Sequence, residues 1–285
     1  MRSRSLALGL LLTLVAGRAQ AQGSKQSPWT GSVRAATLQI ADTNSLGALS
    51  GVLEYRALGW LRLGTAPTLM RATSGATTTS GFGDLPLALE ASQEWNTPFR
   101  PEVGASVILT LPTGNAACGL GSGQTGVGMS LGAGIAPAEA LHLSADASRS
   151  FSGAITLSSL ARPQSTWLDL DGDLDVAPHW TLSLTVGGDV GGADTGAADR
   201  QVGGGVRYAV SGSLNLTVDV THRVSGLAPR WGMAVSLGTA ATGISPLNSL
   251  SPLGRQRQVF VGGVSTHGRT RTTGGGGSSG ATTCP

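Results

Sequence analysis

Asp169, Asp171, Asp173 and Asp175 stand at alternate positions around Gly172. A calcium loop also sets carboxylates at alternate positions. It further needs a glycine at the sharp turn and a bidentate glutamate to close the ligand set. Here Gly172 falls at the wrong position and no such glutamate follows. The same spacing fits a β-strand that sets four carboxylates on one face and Leu168, Leu170, Leu174 and Val176 on the other. A column of this kind would favour cations inside a pore or pair with Arg207 and Arg223. Two further patterns lack the context their chemistry needs. Gly121-Ser122-Gly123-Gln124-Thr125-Gly126 fits a dinucleotide fingerprint by letter but has neither a strand–turn–helix setting nor a downstream acid. Two isolated cysteines, Cys118 and Cys284, do not make a metal site. No catalytic, cofactor-binding or metal-binding residue is assigned.

The elements around these residues are announced by a recurring phrase. Ala57-Leu58-Gly59-Trp60-Leu61-Arg62-Leu63 is a tight turn running into a strand of period two. Similar turns occur at Pro137–Ala140, Pro178–Trp180 and Ser211–Ser213. Longer loops rich in Gly, Ser and Thr lie between them. Short turns at one end and long loops at the other mark an outer-membrane barrel. The spacing predicts about twelve strands, near 31–41, 47–57, 59–71, 83–95, 101–111, 125–136, 139–150, 166–177, 179–190, 201–211, 213–224 and 230–240. Ten residues at ~3.3 Å each and a ~40° tilt cover about 25 Å, the height of an outer-membrane apolar band.

Alternation assigns the faces. Leu214, Leu216, Val218 and Val220 oppose Asn215, Thr217, Asp219 and Thr221; Leu182, Leu184 and Val186 oppose Thr181, Ser183 and Thr185. Lipid takes the apolar set and the lumen the polar one. Arg149 breaks the rule on the lipid side, at a strand end where a charge reaches headgroups at little cost. Trp60 and Trp180 follow two tight turns and fit either an interfacial girdle or an ordinary core. His142-Leu143-Ser144 matches the His-x-Ser pair of outer-membrane phospholipases. Here, however, Leu141 and Leu143 occupy the lipid face that such a pair needs, and the neighbouring strand offers no Asn or Gln to orient the His. A non-enzymatic barrel follows.

The ends set the compartment. Met1–Arg4, the apolar run Leu6–Ala16 and Ala19-Gln20-Ala21 form a cleavable signal peptide over residues 1–21. Residues 22–240 form the barrel, and 241–285 a C-terminal extension, largely low complexity and disordered from Thr266, with one more short strand available at Gln256–Val264. An even strand number leaves both chain ends on the periplasmic side, so Cys118, in an outer loop, and Cys284 are expected not to pair. Charged residues make up only 12% of the chain, about half the soluble norm, which lipid coverage explains. A net charge of +3 leaves no nucleic-acid footprint.

Ser80-Gly81-Phe82-Gly83-Asp84-Leu85, then Leu111-Pro112-Thr113-Gly114-Asn115, then Gly119-Leu120-Gly121-Ser122-Gly123 resembles the transporter family named for the MetA pathway of phenol degradation. Order and spacing agree best over 80–150. The sequence departs at Asn115, where the family usually has Asp, and in carrying Cys118 and the tail. The resemblance implies an all-β, transmembrane antiparallel up-and-down barrel for passive uptake of small molecules, hydrophobic or aromatic ones among them. The alternative is a structural or adhesive barrel without an open pore, working through loops near 72–81, 112–124, 151–165 and 191–200. Candidate pore-lining residues are Glu54, Arg56, Arg62, Asp84, Glu90, Asp146, Asp169, Asp171, Asp173, Asp175, Arg207, Asp219 and Arg223. Inward Gly128, Ser130, Gly132, Gly134, Gly203 and Gly205 would leave room for a pore. No cofactor is expected. The partners expected are outer-membrane lipid, a small-molecule cargo and, during folding, the outer-membrane assembly machinery; nucleic acid is not among them.

Overall fold

The computed structural model describes residues 27–152, 166–190, 198–226, 228–239 and 251–260. Residues 1–21, expected as a signal peptide, and the tail beyond residue 260 lie outside them. Fourteen strands form one antiparallel sheet: β1 (Trp29–Ala41), β2 (Asn44–Leu58), β3 (Leu61–Thr65), β4 (Thr68–Ser74), β5 (Thr77–Phe82), β6 (Leu85–Glu94), β7 (Glu102–Leu111), β8 (Gly126–Ala138), β9 (Leu141–Ser152), β10 (Thr166–Ala177), β11 (Trp180–Val190), β12 (Arg200–Ser211), β13 (Leu214–Ser225) and β14 (Trp231–Thr239). β1 pairs with both β2 and β14, which closes the sheet.

β3 and β4 are two halves of one stave, since β2 pairs with β3 through Leu53–Leu58 and with β4 through Asn44–Ser50. β5 and β6 are likewise successive halves, interrupted at Gly83-Asp84. The barrel therefore has twelve staves. The region 72–81, expected as an outer loop, is strand with a two-residue turn at Gly75-Ala76, where Gly75 adopts a φ of 59°. The threonines and serines there supply β-propensity that a loop reading overlooked.

The expected alternation is present. Leu182, Leu184 and Val186 are exposed outward while Thr181, Ser183 and Thr185 are buried inward. β13 repeats the pattern, with Thr217, Asp219 and Thr221 inside. The four tight turns all have two residues between paired strand ends, such as Ala177 with Trp180 and Ser211 with Leu214.

The C-terminal region departs from expectation. A helix, α1 (Pro252–Val259), replaces the short strand foreseen at 256–264. A closed barrel offers no free edge for another strand to join. A helix satisfies its own backbone groups without an edge to pair with.

The outward belt can be tested by depth. Leu184 is 71% exposed and sits opposite Gly172 and Gly204 near mid-height. Leu184→Arg should destabilise the barrel by about 2–4 kcal/mol, and Val190→Arg at the strand end by about 1 kcal/mol or less. Denaturant unfolding in lipid vesicles reads both, and equal losses would contradict a belt centred on Leu184.

Candidate functional site

Part of the lumen near the loop end is apolar, while charged side chains line the rest, including Arg34 and Glu54 on the same strands. On β1, β2, β4 and β14 the inward residues include Ala36, Leu38, Leu46, Ala48, Met70 and Ala234, which form one buried cluster with Leu120 and Phe260. This corrects the expectation of a uniformly polar lumen. Inward leucines are stable here because Leu120 and Phe260, from outside the wall, cover them. Each large side chain so buried contributes about 1.5–3 kcal/mol.

Leu120 reaches the cluster because Asp84 holds its loop. Asp84 is buried at the Gly83-Asp84 interruption. Its Oδ1 accepts the Gly114 N–H at 2.9 Å. Its Oδ2 accepts the Ser122 N–H and the Ser122 hydroxyl, both at 2.7 Å. Thr113 donates its hydroxyl to the Gly83 carbonyl at 3.2 Å. The three motifs behind the family resemblance thus meet at one carboxylate. A Cβ on Gly121 would lie 2.9 Å from Gly114 Cα, so both glycines are needed for the approach. Asn115 caps a short 3-10 turn, Ala116–Cys118, by accepting the Cys118 N–H at 3.2 Å. Asp84 is therefore a loop anchor and not a free lumenal charge. The Gly121–Gly126 segment runs into β8, not into a helix, so no phosphate-binding context arises.

α1 fills the other part of the lumen. A Cβ on Gly203 would lie 3.2 Å from Pro252, and one on Gly205 would lie 3.1 Å from Arg255 and 3.3 Å from Pro252. Gln256 bonds Thr221 and lies against Gly232, and Phe260 reaches the apolar cluster. The helix therefore climbs from mid-barrel toward the loop end. The room expected at Gly203 and Gly205 is real, and α1 occupies it. Gly134 makes a different space, filled by Glu102 and His142. The fixed point of α1 is Arg255, whose Nε and Nη2 donate to the two Asp219 carboxylate oxygens at 2.8 and 2.6 Å. Both side chains are buried.

This path overturns the expectation of two separate cysteines. Cys118 is disulfide-bonded, and the sequence holds one other cysteine, Cys284. Strand parity placed the C-terminus at the turn end. In fact Phe260 already packs beside Leu120, two residues from Cys118.

The remaining candidate residues distribute around these two inserts. Arg62 pairs with Glu90 at 3.0 Å, and the Thr30 hydroxyl donates to Glu54 at 3.2 Å. Arg56 lies opposite Arg62 in the strand register. Asp146 lies opposite Asp169 across β9 and β10, and Asp169 accepts the Trp167 Nε1–H at 2.6 Å. Asp171 sits between Ser144 and Thr185 in register. Asp173 pairs with Arg207 at 3.4 Å. Asp175 is exposed at the turn end and accepts the Thr181 hydroxyl at 2.5 Å. Arg223 donates to the Ala228 carbonyl at 3.0 Å, not to a carboxylate. The aspartates do share a face, but arginine, tryptophan and threonine engage members of the column one by one. His142 lies 2.9 Å from Glu102.

Sequence reasoning missed Arg34, Trp167, Glu102 and Arg255. Extending the alternation would have found three of them, because Arg34, Glu102 and Trp167 all fall on inward positions of β1, β7 and β10. Arg255 gave no such signal, since it lies outside any strand.

No family model matches the sequence, so the MetA resemblance gains no support from that quarter, and no curated protein matches it. Solved structures match its fold. The COG4313 outer membrane channel from Pseudomonas putida F1 is 19% identical with a TM-score of 0.55, covering 78% of this chain and 98% of that one. The KdgM porin is 11% identical with a TM-score of 0.50, covering 75% and 99%. KdgM in complex with disordered oligogalacturonate gives 11% and 0.50, covering 74% and 99%. At such identities the likeness is one of fold: this chain has the barrel architecture of outer-membrane channels.

Proposed function

We propose that this protein is an outer-membrane channel for small molecules, with its loop end outward, and that α1 and the 112–124 loop hold it closed. The observation that carries this reading is the bidentate Arg255–Asp219 pair inside the lumen. A barrel built only as a scaffold could fill its interior from its own wall. This one leaves glycines at Gly203, Gly205 and Gly232 and fills the gap with a separate segment. Such a segment can leave without breaking the wall. The likeness to channel structures and the resemblance to an uptake family support the same reading.

The cargo we infer is a small molecule with an apolar part. Leu38, Leu46 and Met70 line the loop end, and the Asp173–Arg207 and Arg62–Glu90 pairs lie in the turn-end half of the lumen. Withdrawal of Leu120 and Phe260 would expose an apolar surface suited to an aromatic ring, while the ion pairs keep the path wet.

A second reading has its own support. Packed ion pairs and a filled lumen also suit a structural barrel that never conducts.

Planar-bilayer conductance separates the two. Arg255→Ala removes the bidentate partner of buried Asp219, leaving it only the nearby charge of Arg34, and so frees α1 from the wall. Open probability should rise at least tenfold over the unmodified protein. Silence from both proteins, each shown folded by heat-modifiable gel mobility, would favour the structural barrel. Asp84→Asn removes charge-assisted bonds to the loop, each worth about 1.5–3 kcal/mol. Its expected signature is flickering between current levels, and steady currents identical to the parent would detach the loop from gating. In liposome-swelling assays, Arg255→Ala should admit a small phenol faster than a sugar of similar mass; the reverse order would overturn the apolar cargo.

A further inference from the structure

Two arginines point into lipid on the same flank of the barrel. Arg149 on β9 and Arg200 on β12 are exposed on the outward face near the loop end. Strand register places them. Arg149 is opposite Thr166, Thr166 opposite Val190, and Arg200 opposite Gly188. They stand three strand spacings apart, about 14–15 Å across the sheet, with Arg200 offset by two residues, about 7 Å, along the strands toward the turn end. Arg149 lies over the Phe151 ring, 5.8 Å from its centroid, which holds the guanidinium at an aromatic boundary level.

Beside Arg200, and reaching Ala147 two residues before Arg149, the wall is hollowed. Ala133, Ala145, Ala147 and Gly188 are small outward residues, with Leu131 and Leu170 as larger neighbours. They line an apolar depression of about 690 Å³, and Arg200 lies on its rim. Among the described residues, neither arginine is in an ion pair.

Two cations on a lipid face, with no ion-pair partner among the described residues, suit an anion from the membrane. Arginine binds phosphate through paired N–H donors. A groove beside them requires that the same ligand carry acyl chains. We propose that Arg149, Arg200 and the adjoining depression form a binding site for a bis-phosphorylated, multiply acylated glycolipid of the outer leaflet. Each guanidinium takes one phosphate, and an acyl chain lies along Ala133, Ala145, Ala147 and Gly188. A lipid with a single phosphate cannot meet both arginines across three strands. The site rests on the outward placement of the loop end proposed above.

Full-length refolded protein in detergent, titrated with lipid A and followed by native mass spectrometry, tests the site. Lipid A should bind one copy per barrel at least tenfold more tightly than phosphatidylglycerol. Arg149→Gln/Arg200→Gln should lose that preference. Arg71→Gln, on the outward face of β4, changes the net charge without touching the groove and should retain it. Lipid A lacking its phosphates should bind the unmodified protein as weakly as lipid A binds the double variant. Equal binding of lipid A by the parent and the double variant, or equal binding of phosphatidylglycerol by the parent, overturns the site. Orientation is read separately, from antibody access on intact cells to an epitope inserted at Gly75-Ala76. An inaccessible epitope would overturn the outward placement and the outer-leaflet site with it, whereas an accessible epitope with unselective lipid binding would overturn the arginine site alone.

Discussion

A wall surrounded by lipid must satisfy every backbone N–H and C=O within itself, and the rest of this molecule follows from that requirement. The sheet has to close, and β1 closes it by pairing with β2 and β14. Closure fixes an inside and an outside, and a strand period of two then deals residues alternately to each. It also fixes the interior volume. Twelve staves enclose more space than a filled eight-stranded barrel and less than an open porin. What occupies that space is the functional question.

Two inserts occupy it, and they are held by different physics. The 112–124 loop is tied by polar bonds to one buried carboxylate, Asp84, and by the apolar burial of Leu120. The segment at α1 is tied by the Arg255–Asp219 ion pair and the Gln256–Thr221 bond, and by Phe260 in the same cluster as Leu120. Both converge at the loop end. The shared cluster couples them, because withdrawing either Leu120 or Phe260 uncovers the same leucines. The wall accommodates α1 by giving up side chains where the helix lies, at Gly203, Gly205 and Gly232.

Outside the barrel the same alternation has a second consequence. Outward positions need only be apolar, so small residues clustered at Ala133, Ala145, Ala147 and Gly188 are a departure that the membrane must fill. Arginine at Arg149 and Arg200 is tolerated only near the boundary, where headgroups approach. The inner and outer surfaces therefore carry separate chemistry on the same strands.

Much of this was legible in the sequence. Strand number, tight turns and facing are local properties, set by period-two patterning and turn chemistry, and β11 and β13 could be read residue by residue. The aspartate column could be placed on the inner face for the same reason. Other features depended on contacts distant along the chain. Alternation says that Leu38 and Leu46 share a face with Arg34 and Glu54, but not that Leu120 and Phe260 arrive to cover them. Glycine at 203 and 205 announces space without saying what fills it. Strand parity correctly put the end of β14 at the turn end, yet it has no bearing on a chain that turns back into the lumen. That return gave Asp219 its partner and brought the C-terminal segment to the loop that carries Cys118. Short-range order was written in residue spacing. The contents of the lumen were decided by closure, because only a closed wall creates an interior for distant segments to enter.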